Sequence, residues 1–179
     1  MQLLTDDAVR LWAADRGIQM RGRKLVYSHP HTAWIAIEMP PLATDRMLLA
    51  ADLLNLGEPV PPIINLLWLS TWRIWSEWND DFGEFIITTL RNQGGVITSL
   101  KNESGHLFGP DERKLACAIF WHTMLFNWYA YLAPITGNHI IECSHDEIVW
   151  IMCKGSAAHN QALLQLERWK PRQKEYIKG

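Results

Sequence analysis

Alternating apolar and polar residues predict several β-strands. Ala33 to Met39 alternates along its whole length, and two shorter runs, Lys24 to Ser28 and Ile63 to Leu69, have the length and composition of buried strands. Tyr129 to Ala133 and His139 to Cys143 flank a short segment of proline, glycine and asparagine. Residues of this kind favour tight turns, so we expect the last two strands to form a hairpin.

Capping residues and a helical period of apolar positions predict the helices. Thr5 precedes two aspartates and is a good helix start, because its hydroxyl can accept a hydrogen bond from a free N–H group. The longest pattern covers Asn79 to Asn92, where Phe82, Phe85, Ile86 and Leu90 share one side. Further helices are predicted from Thr44 to Leu56, from Pro110 onward, from Ser144 to Met152 and from Ala157 to Trp169.

The segment between the longest helix and Pro110 has weaker signals. Gly94 and Gly95 end the helix, and Val96 to Leu100 is predicted as a short strand. Lys101 to Gly109 is polar and is predicted as a loop.

Interleaved helices and strands with at least one hairpin predict an α+β fold, and a mixed α/β fold is the alternative. We expect a mixed or antiparallel sheet with a C-terminal hairpin, covered by four to six helices. The 179 residues are within the usual size of one domain, so residues 1–179 are predicted to form a single domain. Prolines at 59, 61 and 62 make residues 58–62 the best candidate for a linker, although it is short.

Charge and cysteine content exclude several classes of protein. Seventeen basic residues are balanced by nineteen acidic ones, which argues against nucleic-acid binding. Three cysteines without a Cys-x-x-Cys pair argue against a disulfide framework or a thiolate zinc site. The apolar stretch Leu115 to Ala133 follows four charged residues and ends at Pro134, so a helix running into a buried strand explains it better than a membrane span. No signal peptide is evident, and we expect a cytoplasmic protein.

A tryptophan-rich, acid-flanked segment is the first candidate site. Trp68, Trp72, Trp75 and Trp78 would lie within about a third of the circumference of a continuous helix, but neighbouring polar residues favour a loop between Ser70 and Asn79. Indoles can form a binding surface, or they can cover the core. Acidic residues next to them would suit a basic partner. The predicted binding residues are Trp72, Trp75, Trp78, Asp80, Asp81 and Glu84.

Ser144-His145-Asp146-Glu147, directly after a predicted strand, is the second candidate. An imidazole beside two carboxylates could perform acid–base chemistry, which makes His145, Asp146 and Glu147 alternative catalytic residues. The same four residues match the Ser-x-x-Glu capping box, in which Ser144 and Glu147 cap a following helix and His145 is merely exposed. We favour the capping interpretation.

His29 and His31 are candidate metal ligands. Residues two apart on a strand point to the same face, although Pro30 makes a regular strand improbable. His145 could complete such a site in space. Two imidazoles alone are weak evidence, so we expect neither a bound metal nor another cofactor.

Three functional hypotheses follow. The familiar catalytic and nucleotide-binding motifs are missing, and this favours a non-enzymatic protein that binds a protein partner, such as an immunity protein, an inhibitor or an accessory subunit. The alternatives are a small hydrolase that is metal-dependent or uses His145 and Asp146, and a small-molecule sensor with a tryptophan-lined pocket. The oligomeric state stays open.

Overall fold

The computed structural model describes residues 1–28, 32–56, 65–71, 77–95 and 98–174, with the backbone alone at 32, 77–81 and 174. These residues form five α-helices and ten β-strands. The elements are β1 (Gln2–Leu4), α1 (Asp6–Ala14), β2 (Ile18–Arg21), β3 (Lys24–Tyr27), β4 (Thr32–Glu38), α2 (Ala43–Leu54), β5 (Asn65–Thr71), α3 (Glu77–Gln93), β6 (Gly105–Phe108), α4 (Arg113–Leu125), β7 (Tyr129–Pro134), β8 (His139–Cys143), β9 (Ile148–Lys154), α5 (Ser156–Gln165) and β10 (Arg172–Lys174).

Eight of the strands form one antiparallel sheet in the order β1-β6-β5-β7-β8-β9-β4-β10, and β2 and β3 form a separate hairpin. Each pair of neighbours in the large sheet is antiparallel. The prediction of an α+β fold with four to six helices is confirmed, and the sheet is antiparallel. The β7–β8 hairpin is also where turn chemistry placed it.

The two faces of the sheet support two separate hydrophobic cores. Successive side chains of a strand point to opposite faces, so each strand contributes to both. Ile35, Leu67 and Ile151 lie in the core that contains the buried residues of α2, α4 and α5. Trp68 and Tyr131 lie in the core on the opposite face, which α1 and the β2–β3 hairpin cover.

The structure corrects three predicted elements. The predicted loop from Lys101 to Gly109 contains β6, a strand paired on both sides, to β1 and β5. The predicted helix from Ser144 to Met152 is instead a turn followed by β9. Leu100 lies in a turn and not in a strand. The physical reason is that cross-strand pairing outweighs short local signals, since tertiary contacts set strand formation more strongly than propensity does.

The proline-rich connection at 58–62 lies outside the described residues, and the single domain stays a prediction. None of the helices in the described ranges has both the length and the hydrophobicity that crossing a bilayer requires.

Candidate protein-binding surface

A glycine fixes the position of α3 on the molecule. A Cβ added at Gly83 would lie 2.8 Å from Trp128 Cζ2 and 3.0 Å from Phe126 Cδ1, so only glycine allows α3 to approach these rings so closely. The buried side of α3 continues through Ile87 and Arg91, one turn and two turns further on. Because Gly83, Ile87 and Arg91 face inward, a different set of residues faces solvent.

A buried histidine secures the same contact. His122 Nε2 donates a hydrogen bond to the Gly83 carbonyl oxygen over 2.9 Å. Burial lowers the pKa of His122 to about 4, while the Gly83 carbonyl opposes this shift, so the ring is neutral at neutral pH. The His122 ring centroid also lies 4.5 Å from that of Phe126 and 5.1 Å from that of Trp128. These rings form a compact aromatic cluster beneath the N-terminal half of α3.

Two phenylalanines on α3 are exposed to solvent. Phe82 is 62% exposed and Phe85 is 66% exposed. The ring centroid of Phe82 lies 6.4 Å from that of Phe126, so the exposed ring sits at the outer edge of the aromatic cluster. The sequence placed Phe82 and Phe85 on one side of the helix with Ile86 and Leu90, but the fully buried side is that of Gly83 and Ile87. In the sequence, this orientation is indicated by the small and apolar residues Gly83 and Ile87 on α3 and by Gly94 directly after it.

The same half of α3 is strongly acidic. Residues 77, 80, 81 and 84 are acidic, and the first basic residue of the helix is Arg91, which is buried. We refer to residues 77–85, with the exposed rings of Phe82 and Phe85, as the α3 surface.

The predicted tryptophan and acidic residues fall into three groups. Trp72 and Trp75 lie outside the described residues. Trp78, Asp80 and Asp81 lie in the first turns of α3, where the backbone alone is described, so the predicted loop from Ser70 to Asn79 is replaced at both ends by β5 and α3. Glu84 is half-buried on α3.

Trp68, the first tryptophan of the series, is part of the core. Its indole is 1% exposed, and Nε1 donates to Asp6 Oδ1 over 2.9 Å and to Ser104 Oγ over 3.1 Å. Its ring stacks on Tyr131 at a centroid distance of 5.6 Å. Trp68 therefore joins α1 to the sheet and is not available to a partner.

Residues 144–147 form the turn between β8 and β9, so the capping-box interpretation is wrong. The Ser144 N–H donates to the Ile148 carbonyl, which closes the turn over 3.0 Å. Ser144 Oγ accepts from the Asp146 N–H over 3.2 Å and donates to Asp146 Oδ2 over the same distance. Both partners of the Ser144 hydroxyl therefore belong to Asp146, which holds the turn in shape.

His145, an alternative catalytic residue, lies beside Asp146 and Tyr129. His145 Nε2 is 3.3 Å from Asp146 Oδ1, and the imidazole meets the Tyr129 ring edge-on at 4.8 Å. Tyr129 begins β7, three residues after Phe126, so this turn and the base of the α3 surface lie at the same end of the sheet.

Glu147, the third alternative catalytic residue, pairs with a buried arginine. Arg46 Nη2 donates to Glu147 Oε1 over 2.8 Å, and Asn127 Nδ2 donates to the same oxygen over 3.3 Å. These two hydrogen bonds lower the pKa of Glu147. Glu147 and Asn127 both have a positive φ, of 59° and 51°, which is a strained conformation for non-glycine residues. The Arg46 contacts offset this strain. The pairing with Arg46 therefore gives Glu147 a structural role in this turn.

The alternative metal site of His29, His31 and His145 stays a prediction. His29 and His31 lie outside the described ranges. In the part of the chain that is described, no group of three or more histidine, cysteine, aspartate or glutamate side chains has the arrangement of a metal site.

Comparison of the chain with protein-family models, with curated proteins and with solved structures finds no match in any of the three.

Proposed function

We propose that this protein is a non-enzymatic binding protein that recognises a basic protein partner through the α3 surface. The observation that supports the proposal is the exposure of Phe82 and Phe85 on the acidic half of α3. Contiguous exposed apolar surface marks interaction sites, and Phe82 and Phe85 are neighbours one turn apart on α3. Aromatic residues are also enriched among the residues that dominate binding energy.

Burial of the two rings would provide a useful share of the binding energy. If a partner removes roughly 100 Å² of each ring from water, each contributes about 2.5 kcal/mol before the costs of association. The rigid support beneath them matters as well. Because Gly83 and His122 fix α3 against α4, little conformational entropy is lost when a partner docks.

The acidic residues at 77, 80, 81 and 84 would supply specificity and a fast encounter. A negative patch attracts a positive one over about a Debye length, which raises the association rate and makes it sensitive to salt. An inhibitor or immunity protein that neutralises a basic enzyme fits this chemistry, and so does an accessory subunit of a basic assembly.

The test is affinity capture from lysate of the source cells, quantified by mass spectrometry, with two double variants. Phe82→Ser/Phe85→Ser removes the exposed rings of the α3 surface. Leu11→Ser/Leu164→Ser is the matched control, since Leu11 and Leu164 are 70% and 76% exposed on other helices. We expect a basic protein to be captured by the wild type and by the control, and to be lost with the α3 variant.

A second pair of substitutions tests the electrostatic part. Asp80→Asn/Asp81→Asn is expected to weaken capture and to reduce its dependence on salt concentration. A partner retained equally by wild type and by Phe82→Ser/Phe85→Ser would contradict the proposal, and so would a partner lost equally with the leucine control.

A further inference from the structure

The β2–β3 hairpin ends in a basic surface. Residues 16–28, which contain the hairpin, include four basic residues and no acidic one. Arg21 and Lys24 are both exposed, and they lie directly opposite each other beside the turn of the hairpin. Like charges in this position destabilise a pair of strands, so a negative partner would stabilise the hairpin. We refer to residues 21–24 as the basic tip.

The contacts of the basic tip leave most of its positive charge uncompensated. Arg21 donates from Nε and Nη2 to Gln19 Oε1 over 3.2 and 3.1 Å, and this amide is neutral. In the part of the chain that the structure describes, neither Arg21 nor Lys24 forms an ion pair with a carboxylate. Burial raises the pKa of Glu142 on β8, and the charge of Lys24 opposes this shift, so Glu142 offsets only part of one charge.

Hydrogen bonds to the large sheet hold the hairpin in place. Ser70 Oγ donates to the Arg23 carbonyl oxygen over 2.7 Å, and Arg23 Nε donates to the Ser70 carbonyl oxygen in return. At the other end of β3, the Tyr27 hydroxyl donates to the Gly137 carbonyl oxygen over 2.9 Å. A surface that is fixed in this way loses little conformational entropy when a partner docks.

The α3 surface has the chemistry that complements the basic tip. Its acidic residues are opposite in sign to Arg21 and Lys24. Cations also bind the faces of aromatic rings, so the same two side chains suit the exposed rings of Phe82 and Phe85. Both components of the α3 surface, charge and exposed rings, therefore find a counterpart on the basic tip.

Within one chain the two surfaces belong to opposite faces of the large sheet. Leu25 of the hairpin lies in one hydrophobic core, and Ile87 of α3 lies in the other. We propose that the α3 surface of one copy docks on the basic tip of a second copy. This inference rests on the proposed function, because it uses the same α3 surface, and a second copy would compete there with another basic protein.

Sedimentation velocity of the full chain, over a series of protein and salt concentrations, tests the contact. We expect the wild type to self-associate at low salt and to dissociate as the salt concentration rises, because salt screens exposed charges. Arg21→Glu/Lys24→Glu should weaken association at least ~10-fold, since an acidic tip would then meet the acidic α3 surface. This variant still places two like charges opposite each other, so the stability of the hairpin should change little.

The matched control is Arg113→Glu/Lys114→Glu at the start of α4. Both residues are exposed, and the substitution changes the net charge by the same amount as Arg21→Glu/Lys24→Glu. We expect the control to self-associate like the wild type. An equal loss of association in the two variants would overturn the proposal, because net charge alone would then explain the effect.

Mixing two defective variants shows whether the two surfaces meet. Phe82→Ser/Phe85→Ser keeps the basic tip, and Arg21→Glu/Lys24→Glu keeps the α3 surface. Neither variant should self-associate alone, whereas an equimolar mixture should form a heterodimer through one native contact. A mixture that stays monomeric would overturn the proposal, and so would a wild type that is monomeric at low salt.

Capture from lysate tests the proposed function separately. A wild type that captures a basic protein but stays monomeric overturns the self-association and leaves the proposed function standing. A wild type that self-associates and captures no other basic protein supports the contact between copies and contradicts the proposed function.

Discussion

Replacing Arg46 by methionine removes a buried guanidinium that joins three parts of the chain. Arg46 is 8% exposed and donates to the carbonyls of Pro40 and Met124 over 2.7 and 2.6 Å. It also donates to Asn127 Oδ1 over 3.0 Å and to Glu147 Oε1 over 2.8 Å. Met124 lies in the last turn of α4, so the arginine charge also favours the negative end of that helix.

The expected loss of stability follows from the groups left behind. Each buried carbonyl that loses a charged donor costs roughly 1–3 kcal/mol. The Glu147 carboxylate is 55% exposed and can return to water, so its share is discounted to under about 1 kcal/mol. The methionine restores part of the packing. We therefore expect Arg46→Met to lower the free energy of unfolding by about 3–4 kcal/mol.

Urea denaturation followed by tryptophan fluorescence measures this loss. With an m-value of about 2 kcal/mol/M, the midpoint should fall by roughly 1.5–2 M. Arg172→Met is the control, since Arg172 and Glu38 form a pair of the same length, 2.8 Å, with both side chains exposed. That variant should cost under about 1 kcal/mol. A loss for Arg46→Met no larger than for Arg172→Met would show that the buried Arg46 contacts do not stabilise the fold.

Two further predictions concern pH and packing. Because the pKa of His122 falls from 6.5 to about 4 on folding, the unfolded state binds a proton at higher pH than the folded state, and stability should decrease as the pH falls from about 6.5 to 4. His122→Gln keeps a donor for the Gly83 carbonyl and removes the titrating imidazole. In urea titrations at several pH values, the variant should therefore lose about 3 kcal/mol less stability than the wild type over this pH range. An unchanged pH profile would contradict a buried neutral imidazole. Gly105→Ala would place a methyl 3.0 Å from Leu4 Cβ and closer still to Val9, so it should cost about 1–3 kcal/mol in the same urea assay. The methyl added in the control Gly109→Ala would lie 3.6 Å from its nearest atom, so the free energy of unfolding should change little. A loss for Gly105→Ala no larger than for Gly109→Ala would contradict the expected clash at Gly105.

The sequence was most informative where local chemistry and pairing agree. Thr5 caps α1 as predicted, and its hydroxyl accepts from the Ala8 N–H over 3.3 Å. The β7–β8 hairpin follows directly from its turn residues. At Ser144 the same logic failed, because Ser-x-x-Glu also fits a tight turn in which Glu147 takes a positive φ. The pairing of β8 with β9 decides between the two, and a local motif does not contain that information.

The predicted binding residues stay a prediction, and the α3 surface includes Trp78, Asp80, Asp81 and Glu84 among them. The acidic, aromatic segment near residue 80 was singled out for its tryptophans, whereas the exposed rings in the described structure are Phe82 and Phe85. Their exposure depends on Gly83 meeting Trp128, a contact between residues 45 positions apart.

Hydrogen–deuterium exchange of the protein with and without its captured basic partner shows whether the partner binds at the α3 surface. We expect protection on binding to be strongest in the peptides that span residues 77–85, with smaller changes at the neighbouring residues Phe126 and Asn127. Protection confined to another surface, with unchanged exchange over residues 77–85, would contradict the assignment of α3 as the binding surface.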